Sequence, residues 1–250
     1  MGVALFRRTA RGLEMTAEGN LLATHVDRGL DSIETGLTQV ARRVGSVKVA
    51  LLPMFSSRWL SPRPGSLLEK HPDLQLSIQN HNNRFARMSN PAGYADVGVQ
   101  WGRGSWNGFQ VTRLWREQLV VVCSPDYLQA HPINKPSDLA RCMLLHVDDT
   151  RMWEEWLETN EQQLSNTQPQ MMLEDRHFQL SSTINGLGVS LFASWLVENE
   201  LLSGDLVDPF KAAVPTSFAY YLIVPKGNET QPEVQQFCDW ILDECNPTVV

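Results

Sequence analysis

Leu22, Val26, Leu30, Ile33, Leu37, Val40 and Val44 follow one another at steps of four, four, three, four, three and four. That spacing aligns them on one narrow stripe of a helix, with Asp27, Arg28, Asp31, Glu34, Arg42 and Arg43 around it. Thr16 is placed to cap its N-terminus, and Glu18 falls in the first turn, where a carboxylate is favoured. A stripe of about seven turns needs a partner, either the helix's own domain or, as its near-heptad seam suggests, a second helix. Gly45 ends the helix and opens the segment Ser46 to Leu52, in which Val47, Val49 and Leu51 alternate as in a mostly buried strand.

A strand-then-helix rhythm follows. It predicts a helix around Ser56 to Lys70, a strand at Leu74 to Gln79, a short helix near Asn83 to Met88, and strands at Ala95 to Gln100, Val111 to Leu114 and Leu119 to Val122. A second series predicts a strand at Met143 to His146, a Trp-rich helix at Met152 to Thr159, a strand at Met171 to Glu174, a helix at His177 to Asn185 and a strand at Gly188 to Phe192. The chain closes with helix Trp195 to Leu202, strand Phe218 to Val224 and helix Pro232 to Glu244. Such alternation implies an α/β fold with largely parallel sheets.

Charge changes the picture once it is divided along the chain. Residues 1–45 hold six Lys/Arg and five Asp/Glu, a net +1, whereas residues 46–250 hold fifteen and twenty-three, a net −8. An acidic body of that kind does not attract a phosphate backbone, so nucleic-acid contacts are expected only from the N-terminal segment. The longest apolar runs, such as Val47 to Leu52 and Gln118 to Cys123, fall far short of the roughly 20 residues of a membrane-spanning helix. Arg7, Arg8 and Arg11 are followed by Glu14, Glu18 and Gly19 where a secretory signal would be apolar, so a cytoplasmic protein is expected. Cys123, Cys142, Cys238 and Cys245 form no Cys-x-x-Cys pair and have no His at a ligand spacing; no metal and no cofactor is expected.

The segment Leu5-Phe6-Arg7-Arg8-Thr9-Ala10-Arg11-Gly12-Leu13-Glu14-Met15-Thr16-Ala17-Glu18-Gly19 resembles the wing of a LysR-type winged helix-turn-helix running into its dimerising linker helix. Further matches are Leu52-Pro53-Met54-Phe55, Arg58-Trp59-Leu60, His71-Pro72-Asp73, Ala95-Asp96-Val97-Gly98-Val99, Gly102-Arg103-Gly104-Ser105-Trp106, Val122-Cys123-Ser124-Pro125, Leu144-Leu145-His146-Val147-Asp148, Asn185-Gly186-Leu187-Gly188-Val189 and Phe218-Ala219-Tyr220-Tyr221-Leu222. Together they resemble the LysR-type transcriptional regulators, in the subgroup named for the glycine-cleavage-system activator, over residues 5–245.

The resemblance implies a two-lobed effector domain like a type 2 periplasmic solute-binding protein. Residues 1–15 would be the remnant of the wing, 16–45 the linker and dimerisation helix, 46–122 plus 219–245 the first lobe, and 123–218 the second. A small-molecule effector would bind between the lobes, in keeping with a general preference for sites at domain interfaces. The resemblance also implies homo-oligomers, dimeric or tetrameric on DNA, and admits RNA polymerase as a further partner. The family's helix-turn-helix lies in roughly fifty residues ahead of this wing, and the residues that enter the major groove lie there. Specific DNA binding is therefore expected only when that segment is supplied, with Arg7, Arg8 and Arg11 as backbone contacts that position without reading sequence. A ligand-sensing fragment that does not bind DNA, or a dominant-negative one, is the alternative.

Candidate site residues follow from this frame. Ser56 and Ser57 lie between a strand and a helix, where hydroxyls and first-turn N–H groups suit a carboxylate; plain N-capping by Ser56 is the competing reading. Arg176 falls at a helix start of the second lobe, where the resemblance implies a small hydroxyl residue. It is read either as a bidentate clamp on an acidic ligand or as a surface Arg paired with Glu174 or Asp175. Gln100 and Trp101 end a first-lobe strand and should present an amide and an indole to the cleft, Trp101 either packing or recognising. Tyr220 and Tyr221 have opposite facing on one strand, so only one looks toward the cleft. His146, near Asp148 and Asp149, is read as hinge or pocket lining, because no positioned nucleophile accompanies it. No Gly-x-Ser-x-Gly elbow, paired-carboxylate motif or phosphate loop is present, so the chain is read as a non-enzyme.

Overall fold

The computed structural model describes residues 2–9, 12–40, 45–165 and 167–245. Arg11, Arg42, Arg43 and Val44, and the side chains of Arg28, Asp31, Glu34 and Val40, lie outside the described residues. The first strands, β1 (Phe6–Thr9) and β2 (Gly12–Met15), pair antiparallel with Phe6 opposite Met15. Helix α1 runs over Ala17–Val40. Thr16 caps it: its Oγ1 accepts the Gly19 N–H at 3.0 Å and donates to the Ala4 carbonyl at 2.9 Å. A Cβ at position 19 would stand 2.1 Å from the Leu5 carbonyl oxygen, so only glycine lets the helix start press against the residue that leads into β1. Leu22, Val26, Leu30, Ile33 and Leu37 are 37% to 66% exposed, so the stripe is not covered by the chain's own domain.

Two five-stranded sheets form the body. The first lobe is built from β3 (Ser46–Leu51), β4 (Gln75–Asn80), β5 (Val97–Gly102), β6 (Phe109–Arg113) and, near the end of the chain, β12 (Ala219–Pro225). The second uses β7 (Gln118–Val122), β8 (Leu144–Val147), β9 (Gln170–Leu173), β10 (Val189–Ala193) and β11 (Val214–Pro215). Their orders are β4-β3-β5-β12-β6 and β9-β8-β10-β7-β11, each with two parallel pairings followed by two antiparallel ones. In both lobes the first antiparallel strand, β7 or β12, is the one that has just crossed from the other lobe. The expected boundary at residue 122 is thereby corrected: β7 pairs with β10, and the first crossing lies ahead of it, near Trp115 to Glu117.

Alternation along β3 sends Val47, Val49 and Leu51 into one core cluster and Ala50 to the opposite face, so apolar layers cover both sides of the first sheet. The helices are α2 (Pro64–Lys70), α3 (Pro91–Tyr94), α4 (Pro125–Ala130), α5 (Arg151–Thr159), α6 (Arg176–Ile184), α7 (Glu198–Ser203) and α8 (Pro232–Cys245). The helix expected over Ser56 to Lys70 is two pieces. A wide turn, Phe55–Leu60, carries an i to i+5 bond from the Ser61 N–H to the Ser56 carbonyl at 2.9 Å. Pro62 and Pro64 then interrupt the ladder before α2. The helix expected over Trp195 to Leu202 is likewise a tight turn, Ser194–Leu196, followed by α7.

Candidate ligand cleft between the lobes

A recess of about 40 Å³ lies between the lobes. Its first-lobe wall is Leu52, Pro53, Met54, Asn82, Asn83, Trp101 and Tyr220; its second-lobe wall is Val147, Asp148, Glu174, Asp175 and Arg176. Beside it lies a wider space of about 580 Å³ that shares Asn82, Asp148 and Glu174 with it and adds Arg84, Tyr94 and Met172.

Arg176 is positioned by its neighbour. Asp175 caps α6 by accepting the Phe178 N–H at 2.9 Å, which fixes the first turn and turns the next side chain inward. The guanidinium donates to Gln179 Oε1 at 3.0 Å and to the Leu191 carbonyl at 3.2 Å, and meets Met152 Sδ at 3.0 Å. Across the lobes it sits 5.3 Å from the Trp101 ring centroid. These partners are neutral, and among the described residues no carboxylate forms an ion pair with Arg176, so the surface pairing with Glu174 or Asp175 is not formed. Burial lowers its pKa, while Tyr220, Asp148 and Glu117 act in the opposite sense; a guanidinium keeps its charge regardless. Trp101 also stacks on Phe218, at 4.5 Å and 8°.

Other candidates fall elsewhere. Ser56 Oγ lies 3.2 Å from the Leu52 carbonyl and 2.9 Å from Asn80 Oδ1, and its N–H is bonded to the Leu52 carbonyl. Ser57 Oγ donates to the Met54 carbonyl at 3.3 Å. Neither lines the recess, and the turn begins at Met54 without a side-chain cap, so the expected converging donors and the capping role of Ser56 are both corrected. Gln100 is buried and holds the Asn83 turn: its Nε2 donates to the Asn83 carbonyl at 2.8 Å and to Asn83 Oδ1 at 2.6 Å, while Oε1 accepts the Ala86 N–H at 3.3 Å. Its amide is thus committed to the wall rather than offered to the recess. Tyr220 lines the recess; Tyr221 points to the other face, edge-on to Trp106 at 5.4 Å. His146 is buried beside Arg176, Gln179, Met152 and Trp153 in a smaller adjoining space. Neither ring nitrogen has a hydrogen-bond partner among the described residues, and burial holds the ring neutral by lowering its pKa. Arg7 is paired with Glu14 at 3.1 Å, and Arg8 is exposed on β1.

Sequence reasoning missed Asn82, Asn83, Glu174 and Asp175 as cleft residues. The polar run His81-Asn82-Asn83 directly after a strand was the available signal, since Asn83 adopts φ +52°, a conformation that asparagine tolerates. Among the described residues no helix is long and apolar enough to cross a membrane, and no group of three or more His, Cys, Asp or Glu could hold a metal.

Two mixed sheets joined by two crossings, with a charged recess between them, define a periplasmic-binding-protein-like effector domain. The comparisons identify it further. Residues 41–246 match the family model described as the LysR substrate binding domain. The chain is 30% identical to the glycine cleavage system transcriptional activator of Escherichia coli K12, covering 97% of this chain and 79% of that protein. It is 29% identical to the regulator PerR of the same organism, over 98% and 82%. Its fold is similar to the AmpR effector binding domain of Citrobacter freundii (TM-score 0.73, 22% identity, 81% of this chain and 99% of that one). It is also similar to the LysR-type regulator CrgA of Neisseria meningitidis (TM-score 0.63, 19% identity, 98% and 85%). The chain belongs to the LysR family of transcriptional regulators, and the relatives matched are regulators rather than enzymes.

Proposed function

We propose that this chain is the effector-sensing and oligomerising portion of a cytoplasmic LysR-type regulator, and that its effector is a small anionic or zwitterionic metabolite held between the lobes. The observation that carries this reading is Arg176, a guanidinium facing the recess with neutral partners only. A ligand carboxylate supplies the directly bonded, charge-assisted partner that the neutral contacts do not. Asp148, Glu174 and Asp175 line the same recess, so a compact molecule with an ammonium group beside its carboxylate matches it better than a dianion does. Contacts on Trp101 and Tyr220 from one lobe and Arg176 from the other make such a ligand favour the closed arrangement by its differential affinity for it.

The test is calorimetric titration of amino acids and short organic acids. Arg176→Ala is expected to weaken binding about ten- to a hundredfold, the loss of one charge-assisted contact. Ser57→Ala should leave it within about twofold, because that hydroxyl is turned back on its own helix. A compound that binds wild type and Arg176→Ala equally removes Arg176 from the site, and binding confined to uncharged apolar compounds removes the charge argument.

The exposed stripe of α1 supports self-association, since each bulky side chain is worth roughly 1.5–3 kcal/mol when buried. Leu30→Glu combined with Leu37→Glu is expected to lower the mass measured by light scattering; an unchanged oligomer rules this seam out. Contact with DNA is assigned to the β1–β2 hairpin through Arg8, and base reading to a helix-turn-helix. Binding through that hairpin should be weak and salt-sensitive.

A further inference from the structure

Glu117 sits where the two crossings meet. It follows Trp115 on the first crossing, and its carbonyl accepts the Thr216 N–H of the second at 3.4 Å. It is only 2% exposed. Its Oε1 accepts the indole N–H of Trp115 at 2.5 Å and of Trp195 at 3.3 Å; Oε2 is buried with no partner among the described residues. Trp115 stacks on Phe55 at 5.9 Å, and Trp195 lies edge-on to Trp115 at 5.6 Å and to Tyr220 at 5.5 Å. The carboxylate is thus enclosed by rings from both lobes: Phe55 and Tyr220 from the first, Trp195 from the second.

The charged and titratable groups around it are few. Arg176 at the start of α6 and the Tyr220 phenol on β12 interact with it through space. On the neighbouring helical elements Arg58 and Glu200 are paired with each other at 2.5 Å, and Arg116 beside it is exposed. None of these donates a hydrogen bond to Oε2. An ionised carboxylate with one unpartnered oxygen among aromatic rings is costly, and the neutral acid is not.

We propose that Glu117 is a proton-binding site at the hinge, taking a proton from solvent onto its carboxylate as the lobes close and returning it as they open. Trp195 comes from the second lobe and the other rings from the first, so separating the lobes would hydrate the carboxylate and restore its ordinary acidity. With the lobes as they stand in this structure, burial pushes its pKa up to about 7, against the lowering effects of the two indole donors and Arg176. Relative to its ordinary 4.5, that difference shifts the closed-to-open ratio about tenfold toward closure on going from pH 8 to pH 6. Linkage is reciprocal, so whatever closes the cleft also takes up a proton. This consequence for the cleft rests on the effector reading above; the proton site itself does not.

The test uses the full chain with no added compound. Tryptophan emission is followed from pH 5.5 to 8.5, because Trp115 and Trp195 bond directly to the titrating group, and the radius of gyration is measured by small-angle scattering at both ends. Wild type is expected to show a transition centred near pH 7 and to be larger at pH 8.5. Glu117→Gln should lose the transition and stay compact throughout. Trp195→Phe, which keeps the packing but removes a donor to the ionised form, should move the midpoint upward. A transition that persists in Glu117→Gln, an unmoved midpoint in Trp195→Phe, or dimensions that do not change with pH in wild type would each overturn the proposal.

Discussion

Trp153→Ala is expected to destabilise the second lobe by about 3–5 kcal/mol, the usual cost of deleting a large buried aromatic side chain. Trp153 lies on α5, is 1% exposed, packs edge-on against Trp156 at 6.0 Å and belongs to the cluster that holds Leu144, Val189 and Leu191. Its indole also donates to the Leu145 carbonyl at 3.1 Å, but Gln179 Nε2 donates to the same oxygen at 3.1 Å, so the acceptor is not orphaned. The cavity term therefore decides the outcome. Urea unfolding should show a lower midpoint with little change in slope. Leu202→Ala, at an exposed position on α7, should stay within about 0.5 kcal/mol of wild type. A Trp153→Ala loss of that same small size would remove Trp153 from the core. The effect reaches function as well: the adjacent Met152 meets Arg176 through its sulfur, so loosening α5 should weaken ligand binding even though Trp153 does not line the recess.

The periodic parts of this fold were legible because their signal is local. Thr16 and the stripe from Leu22 gave α1, and the alternation of Val47, Val49 and Leu51 gave β3, because each residue's facing follows from its neighbours three, four or two places away. Membership of β7 was not legible. Leu119 to Val122 is a continuous apolar run that suits a buried strand in either lobe, and the pairing of Val121 with Leu191 joins residues far apart in the chain. Arg176 is drawn to the cleft by the family resemblance around Asn185-Gly186-Leu187-Gly188-Val189, not by a local pattern, and the structure has it lining the recess. Ser56 and Ser57 are drawn toward the ligand mostly by the family resemblance and partly by the general logic of first turns, and here the wide turn returns their hydroxyls to Leu52 and Met54. The end of a strand points Gln100 toward the cleft, whereas Asn83, seventeen residues earlier, holds its amide in the wall. Glu117 has one local partner, the Trp115 indole two residues before it, but the rest of its enclosure depends on Trp195, seventy-eight residues away.

Between pH 7.5 and 4, Glu117→Gln is expected to lose about 3 kcal/mol more stability than wild type does. A second buried group opposes Glu117. His81 is 4% exposed, its Nε2 lies 3.1 Å from the Val99 carbonyl, and its Nδ1 accepts the N–H groups of Arg84 and Phe85 at 3.2 and 3.4 Å. That pattern fits the neutral ring with its proton on Nε2, and burial holds the pKa at about 4 instead of 6.5. A depressed folded value means the stabilisation is complete above 6.5 and is lost as pH falls through 4. Glu117 works in the opposite direction. Its folded value of about 7 exceeds its unfolded 4.5, so its contribution is complete below 4.5 and is lost as pH rises through 7. The two shifts are similar in size, about 3 kcal/mol each, and their windows overlap, so in wild type the acid loss at His81 is offset by the gain at Glu117. Glu155, where burial acts to raise the pKa but hydrogen bonds from Ser217 and Thr216 outweigh it, and His146, whose pKa burial lowers, lose their contributions equally in both proteins. The difference between the two profiles, read by urea unfolding at closely spaced pH, is therefore the quantity that isolates Glu117. Parallel profiles would show that Glu117 binds its proton no more tightly folded than unfolded, and a flat profile in Glu117→Gln would show the same of His81.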